Sequence, residues 1–216
     1  MLVGLGSGST SAIAVEEIGE RIRRRELSIE AVCTSKRTEE IARRAGIPVR
    51  PLTARVIDLY IDGADQVDAQ GRMIKGGGGA LLREKMVAGN SRRHVIVVDE
   101  SKPVTNLGVG FPVPVDIVPF GVDHLIDRIR KASGGHPVLR RIAGASDPRL
   151  SDDGNLIVDC HFEHGIEQPE EVAARIRDIV GVVEVGLFFG LCDTLIVGHD
   201  DGVETRDFTA TSRSAP

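Results

Sequence analysis

Two aspartates, a lysine and a glutamate share one short stretch with four consecutive glycines: Asp62-Gly63-Ala64-Asp65, then Lys75-Gly76-Gly77-Gly78-Gly79, then Arg83-Glu84-Lys85. These residue types suit proton transfer next to a carbonyl. A carboxylate abstracts the proton, while an ammonium and backbone N–H groups hold the developing oxyanion. Singly, each part also has a structural use, as turn aspartates, a flexible glycine linker and a solvated Glu–Lys helix face. Their concentration in one stretch points to chemistry.

The elements around that stretch must place it. Val56–Ile61 is a short, mostly apolar run bounded by a turn signal, which predicts a buried strand. Asp62 and Asp65 then sit where a strand gives way to a loop, the usual place for ligand groups in an open α/β sheet. Four glycines in a row lose too much backbone entropy to be an element interior. They permit close backbone approach, or positive φ, before a helix predicted from Ala80 to Ala88. A glycine loop at a helix N-terminus offers N–H groups to an anion. Lys75 adds a mobile ammonium at the mouth of that loop, and Glu84 a carboxylate one turn into the helix.

A second loop of this kind lies at the start. The apolar strand Leu2–Gly6 runs into Ser7-Gly8-Ser9-Thr10, with a helix predicted from Ser11 to about Arg25. Strand, Gly/Ser/Thr loop and helix N-terminus together make a phosphate cradle. Ser and Thr in these positions also serve as plain N-caps. No lysine follows the glycines as in a Walker A loop, and Ser9 occupies the third glycine position of G-x-G-x-x-G, so ATP and dinucleotide readings lose support.

Further strands are predicted at Ile29–Cys33, Ile47–Val49 and His94–Asp99, with an amphipathic helix at Lys36–Arg44. Alternating strands and helices argue for an α/β chain with a mostly parallel sheet covered on both faces. Asp99-Glu100-Ser101-Lys102 leaves the end of the last of these strands, giving a second cation, Lys102, at the same carboxyl edge as Asp62. From residue 112 the pattern becomes strand Val113–Val118, helix Val122–Lys131, strand Val138–Ile142, strand Leu156–Cys160, helix Pro169–Ile179 and strand Val182–Leu187. This β-α-β-β-α-β order is the ferredoxin-like signature of a smaller α+β module. Asp153-Gly154-Asn155 is expected to turn the hairpin between its middle strands. The resulting division is 1–111 for the first part of the main domain, 112–188 for a lid, 189–208 for strands returning to the main domain, and 209–216 as a flexible tail.

Composition narrows the partners. A net charge of −5 attracts neither nucleic acid nor membranes, and aromatics at 3% leave no basic-aromatic face. No apolar run approaches the ~18 residues a membrane span needs. Cys33, Cys160 and Cys192 are odd in number and widely spaced, which argues for a reducing compartment, hence the cytoplasm, and against disulfides or a zinc site. His161 and His164, with Glu163 and Glu167, lack the spacing of a metal motif. No metal is expected, and no nucleophile elbow or triad is present.

The strings D-G-A-D and M-I-K-G-G-G-G-A-L-L-R-E-K, with V-G-L-F late in the chain, resemble ribose-5-phosphate isomerases of the A type. The resemblance runs from about residue 3 to residue 206. It implies a Rossmann-like main domain with a ferredoxin-like lid, a homodimer or homotetramer, and no cofactor. It implies interconversion of D-ribose 5-phosphate and D-ribulose 5-phosphate in the pentose phosphate pathway. By the same resemblance Glu84 is the catalytic base, and Asp62, Asp65 and Lys75 are catalytic and line the pentose phosphate together with Gly63, Ala64, Gly76, Gly77 and Gly78. Ser7, Gly8, Ser9 and Thr10 take the phosphate, and Lys102 contacts substrate. Two departures stand out. Family members normally have a helix ahead of the first strand, commonly supplying a phosphate-contacting lysine, whereas Met1 already falls inside that strand. Either the true start lies upstream or phosphate is bound with fewer charges. Gln66 replaces the acidic residue that often follows D-G-A-D. Two other readings stay open: a related amino-sugar phosphate deaminase or phosphogluconolactonase, and a sugar-phosphate sensor without turnover.

Overall fold

A computed structural model describes residues 1–208. In chain order the elements are β1 (Leu2–Leu5), α1 (Ser9–Arg23), β2 (Glu30–Cys33), α2 (Lys36–Arg44), β3 (Leu59–Asp62), β4 (Gln66–Val67), β5 (Met73–Ile74), α3 (Leu81–Gly89) and β6 (His94–Asp99). There follow β7 (Val113–Ile117), α4 (Val122–Ser133), β8 (His136–Leu139), β9 (Leu156–His161), α5 (Pro169–Arg177), β10 (Val182–Val185), β11 (Leu187–Phe188), β12 (Thr194–His199) and β13 (Gly202–Asp207). They form two compact units. The first holds Met1–Ala64, Arg83–Lys102 and the chain from Gly190; the second holds Asp65–Leu82 and Pro103–Phe189.

The first unit is built on a sheet of order β13-β12-β6-β3-β1-β2, parallel except for β13. Alternation along β1 explains why both faces are covered. Val3 and Leu5 pack with Val15 of α1 and Ala42 of α2, while Leu2 packs on the other face with Tyr60, Val87 and Ala88. The chain leaves β1 toward β2 on one side and later continues through β3, β6 and β12 on the other. The carboxyl ends of β1 and β3 therefore flank the switch in strand order, where an open α/β sheet leaves a crevice for ligands.

The second unit contains an antiparallel sheet of order β10-β7-β9-β8, the ferredoxin-like arrangement. Val113, Val115 and Ile117 of β7 face Leu125 and Ile129 of α4 and Val172 and Ile176 of α5. A smaller antiparallel sheet, β11-β5-β4, frames the glycine-rich loop at its start.

Several boundaries differ from those read in the sequence. Helix α1 begins at Ser9 rather than Ser11, so the serine–threonine turn already supplies its first residues. Strand β3 begins at Leu59 and ends on Asp62; upstream of it only Ile57 bridges, to Ser91. Around Pro48, which has no N–H to give, the expected strand reduces to one bridge from Val49 to Ala31. The segment Val182–Leu187 divides between two sheets, because Val185 still pairs with β7 whereas Leu187 pairs with β5. The Asp153-Gly154-Asn155 turn closes a long excursion carrying Arg141–Pro148 and Leu150–Leu156 bridges, not a tight hairpin. The expected flexible tail, 209–216, lies outside the described residues.

Candidate functional site

In the first unit the candidate residues gather around Asp62. Strand alternation puts Tyr60 and Asp62 on one face of β3, and both are buried. The Tyr60 hydroxyl donates to Asp62 Oδ2. Asp62 Oδ1 accepts from the Ser7 N–H at 3.0 Å, the Ser11 hydroxyl at 3.0 Å and the Gly63 N–H at 2.7 Å. One carboxylate thus ties the ends of β1 and β3 to the first turn of α1. Gly6 makes this possible: a Cβ there would lie 1.9 Å from Asp62 Oδ1.

The Ser7–Thr10 turn is held from a second side. Ser7 Oγ lies 2.6 Å from Thr34 Oγ1 just past β2, and the Thr38 hydroxyl donates to the Gly6 carbonyl at 2.9 Å. Gly8 is the N-cap of α1 at φ 96°, with no side-chain cap and no acidic residue in the first turn. First-turn N–H groups of a helix have no intrahelical acceptor, and among the described residues no side chain caps them here. Gly8 and Ser9 are exposed. Exposed N–H groups at a helix start are the kind of feature that suits an anion.

Glu84, the fourth residue of α3, is 4% exposed. Burial, then the charges of Asp62 and Glu84 and the bond to Asp62, push the Tyr60 phenol well above its ordinary value of 10. Tyr60 therefore remains a donor throughout the neutral range. Lys102 lies in the turn after β6, with its N–H donating to Asp99 O at 3.1 Å and its ammonium 4.0 Å from the Asp99 carboxylate. Its side chain is 37% exposed. Hydrogen bonds from Ser101 hold the Asp99 carboxyl below the usual range.

The second unit gathers Asp65, Lys75 and the glycines. Asp65 Oδ2 accepts the Gly77 N–H at 2.7 Å, and a Cβ on Gly77 would come within 2.7 Å of Asp65 Oδ1. Gly77 is therefore needed for close approach. Lys75 is not the mobile ammonium expected: it is 3% exposed, its N–H donates to Gly186 O at 2.9 Å, and Nζ lies 5.6 Å from the centre of the Phe188 ring. Arg140 bonds both the Gly76 and Gly77 carbonyls at 3.0 Å, and Arg149 bonds the Gly78 carbonyl at 2.9 Å. Gln66 spans the loop after Leu107, accepting from the Gly108 N–H at 2.8 Å and donating to Val109 O at 2.7 Å. An acidic residue could not make the second bond.

The structure thus joins Ser7, Thr10, Asp62 and Gly63 in the first unit, where Ala64 ends the segment, and Asp65 and Gly77 in the second. Reading the sequence missed Gly6, Ser11, Tyr60 and Arg140. Tyr60 carried a usable signal, being the chain's one tyrosine and two strand residues before Asp62. Arg140 carried none, since its partners in the glycine loop lie more than sixty positions away.

Comparison with known proteins adds an independent line. A family model described as ribose 5-phosphate isomerase A (phosphoriboisomerase A) matches residues 30–202. A ribose-5-phosphate isomerase A from Cereibacter sphaeroides is 45% identical, covering 98% of this chain and 86% of that protein. Among solved structures, ribose 5-phosphate isomerase from Plasmodium falciparum superposes with TM-score 0.92 at 36% identity, covering 97% of this chain and 91% of its own. A D-ribose-5-phosphate isomerase in complex with phospho-erythronic acid gives TM-score 0.91 at 34% identity, covering 96% and 90%.

Proposed function

The chain belongs to the ribose 5-phosphate isomerase A family, and from that premise we propose how it interconverts D-ribose 5-phosphate and D-ribulose 5-phosphate. The substrate phosphate binds the Ser7–Thr10 turn, where Ser9 and Thr10 head a helix, with Lys102 as a further cation. Asp62, whose oxygens already accept four protein donors, holds that turn and assists opening of the cyclic sugar as an acceptor. Gly63, Ala64 and Asp65 line the sugar chain.

Glu84 then removes the C2 proton of the open aldose. The C2–H electron pair forms the C1=C2 bond, and the carbonyl pair moves onto O1, giving a cis-enediolate. Lys75 and the N–H groups of the Gly76–Gly78 loop stabilise that charge. Glu84 returns the proton to C1 while the O2–H proton passes to O1, and C2=O2 forms. Atoms balance without a redox partner. The observation that supports the assignment is the place of Glu84: a carboxylate in the first turn of α3, directly after the glycine loop, that is only 4% exposed.

A coupled assay of ribulose 5-phosphate formation tests this directly. Ammonia release from an amino-sugar phosphate, lactone hydrolysis, or binding without turnover would each overturn it. We further assign the enzyme to the cytoplasm as a homodimer or homotetramer. The three cysteines are free, in keeping with a reducing compartment. Phe120 and Val180, 85% and 95% exposed, lie on loops joined by the Val118 N–H to Gly181 carbonyl bond, and leave apolar surface that a second subunit could cover. Light scattering tests the assembly.

A further inference from the structure

Arg140 makes more contacts with the glycine loop than any ordinary surface arginine needs. It follows β8, its N–H donates to the Ile157 carbonyl at 2.8 Å, and its side chain is only 12% exposed. Nε donates to Asp159 Oδ2 at 2.8 Å and Nη2 to Oδ1, a fork on one carboxylate. That fork fixes the guanidinium plane. The remaining nitrogen, Nη1, reaches the carbonyls of Gly76 and Gly77, each at 3.0 Å.

The consequence follows from the peptide bond. In a planar trans peptide the carbonyl of one residue and the N–H of the next point in opposite directions. Pinning the Gly76 carbonyl turns the Gly77 N–H the other way, where it meets Asp65 Oδ2 at 2.7 Å. Pinning the Gly77 carbonyl likewise turns the Gly78 N–H away from Arg140. Among the described residues that N–H has no acceptor, and Gly78 is exposed. Glycine gives this loop no rotational preference of its own, so the orientation must come from elsewhere. Arg149, through the Gly78 carbonyl, adds a third contact of the same kind.

We infer that Arg140, locked by Asp159, is a positioning residue that holds the Gly77 amide on Asp65 and so presents the next amide, that of Gly78, to the reacting oxygen of the sugar. The inference rests on the isomerase reading and deepens it. Arg140 acts through the loop and need not touch substrate. Lysine has no fork, so it could keep the charge but not the geometry.

Three variants of the full chain, Arg140→Lys, Arg140→Ala and Asp159→Asn, test this by kinetics, thermal melting and backbone amide exchange. Arg140→Lys is expected to lower kcat about 10- to 100-fold, less than the ~10²- to 10³-fold that removing an oxyanion donor costs because the amide is misdirected rather than lost, with KM changed by less than about 3-fold. Inhibition by phospho-erythronic acid should weaken in step with kcat, and Gly77 amide exchange should speed up. A folded Arg140→Lys protein with wild-type kcat and unchanged Gly77 exchange would overturn the inference, as would parallel loss of kcat and melting temperature with inhibition unchanged. Should Arg140→Ala fail to fold, the other two variants decide. A wild-type chain that forms no ribulose 5-phosphate would sink the isomerase reading instead, while amide exchange would still decide the clamp.

Discussion

The Tyr60 phenol donates its hydrogen bond to the Asp62 carboxylate two residues further along the same strand. Its ring packs edge-on against His94, centroids 6.1 Å apart, so the hydroxyl has a fixed origin. Tyr60→Phe keeps the ring and removes the donor. It leaves a buried carboxylate short of one partner, which costs about 1–3 kcal/mol. Urea denaturation should show that loss with little change in ring packing. Unchanged stability would mean Asp62 does not depend on Tyr60.

Glu84→Gln preserves shape and removes the base. A positioned general base contributes roughly 10²- to 10⁴-fold, so kcat should fall by at least that factor while KM for ribose 5-phosphate stays near wild type. Near-normal turnover in this variant would remove Glu84 from the role.

The parallel order of the main sheet was legible because apolar runs alternate with helical patterns, and period-two and period-3.6 signals are local. So was the placement of Asp62 and Glu84, since a strand end and a helix start both leave marks in neighbouring residues. The clamp on the glycine loop was not legible. Arg140 lies in the stretch Val138–Ile142 that reads as a strand, and nothing local in it points to Asp159, beside which the β8–β9 register sets it, or to Gly76 and Gly77. Lys75 was misjudged for a related reason: beside four glycines it reads as solvent-facing, but pairing of β5 with β11 brings the Phe188 ring near its ammonium. The short strands β4 and β5 were missed because two residues carry no periodicity.

Gly6→Ala tests how tightly the phosphate turn is tied to Asp62. Its Cβ would overlap the Asp62 side chain from Oδ1, at 1.9 Å, back to Cβ, at 2.5 Å, so a turn of the carboxylate alone cannot clear it. The turn must move, and with it the Ser7 N–H and Ser11 hydroxyl bonds. The expected result is a KM for ribose 5-phosphate raised at least about 10-fold, the equivalent of ~1.4 kcal/mol, together with a lowered melting temperature. Kinetics on the folded fraction separate the two effects. A wild-type KM would show that phosphate is held elsewhere.

Asp116 offers a prediction away from the chemistry. It lies on β7, fully buried, and neither carboxylate oxygen is in bonding geometry with a donor among the described residues. Burial raises its pKa from 3.8 to about 6; the Asn155 side chain offsets part of this, and the charges of Asp153 and Glu184 add to it. Below pH 3.8 the group is protonated in both folded and unfolded chains and has no effect on stability. As pH rises toward 6 the unfolded chain ionises first, so stability falls, and above that the loss stays constant. A shift of this size corresponds to roughly 1–3 kcal/mol, the lower figure allowing for partial solvent screening. Asp116→Asn should therefore come nearest to wild type below about pH 3 and exceed it by the full amount at about pH 7.5, as measured by denaturant midpoints across that range. Parallel stability curves for the two proteins would show that Asp116 ionises without cost in the fold.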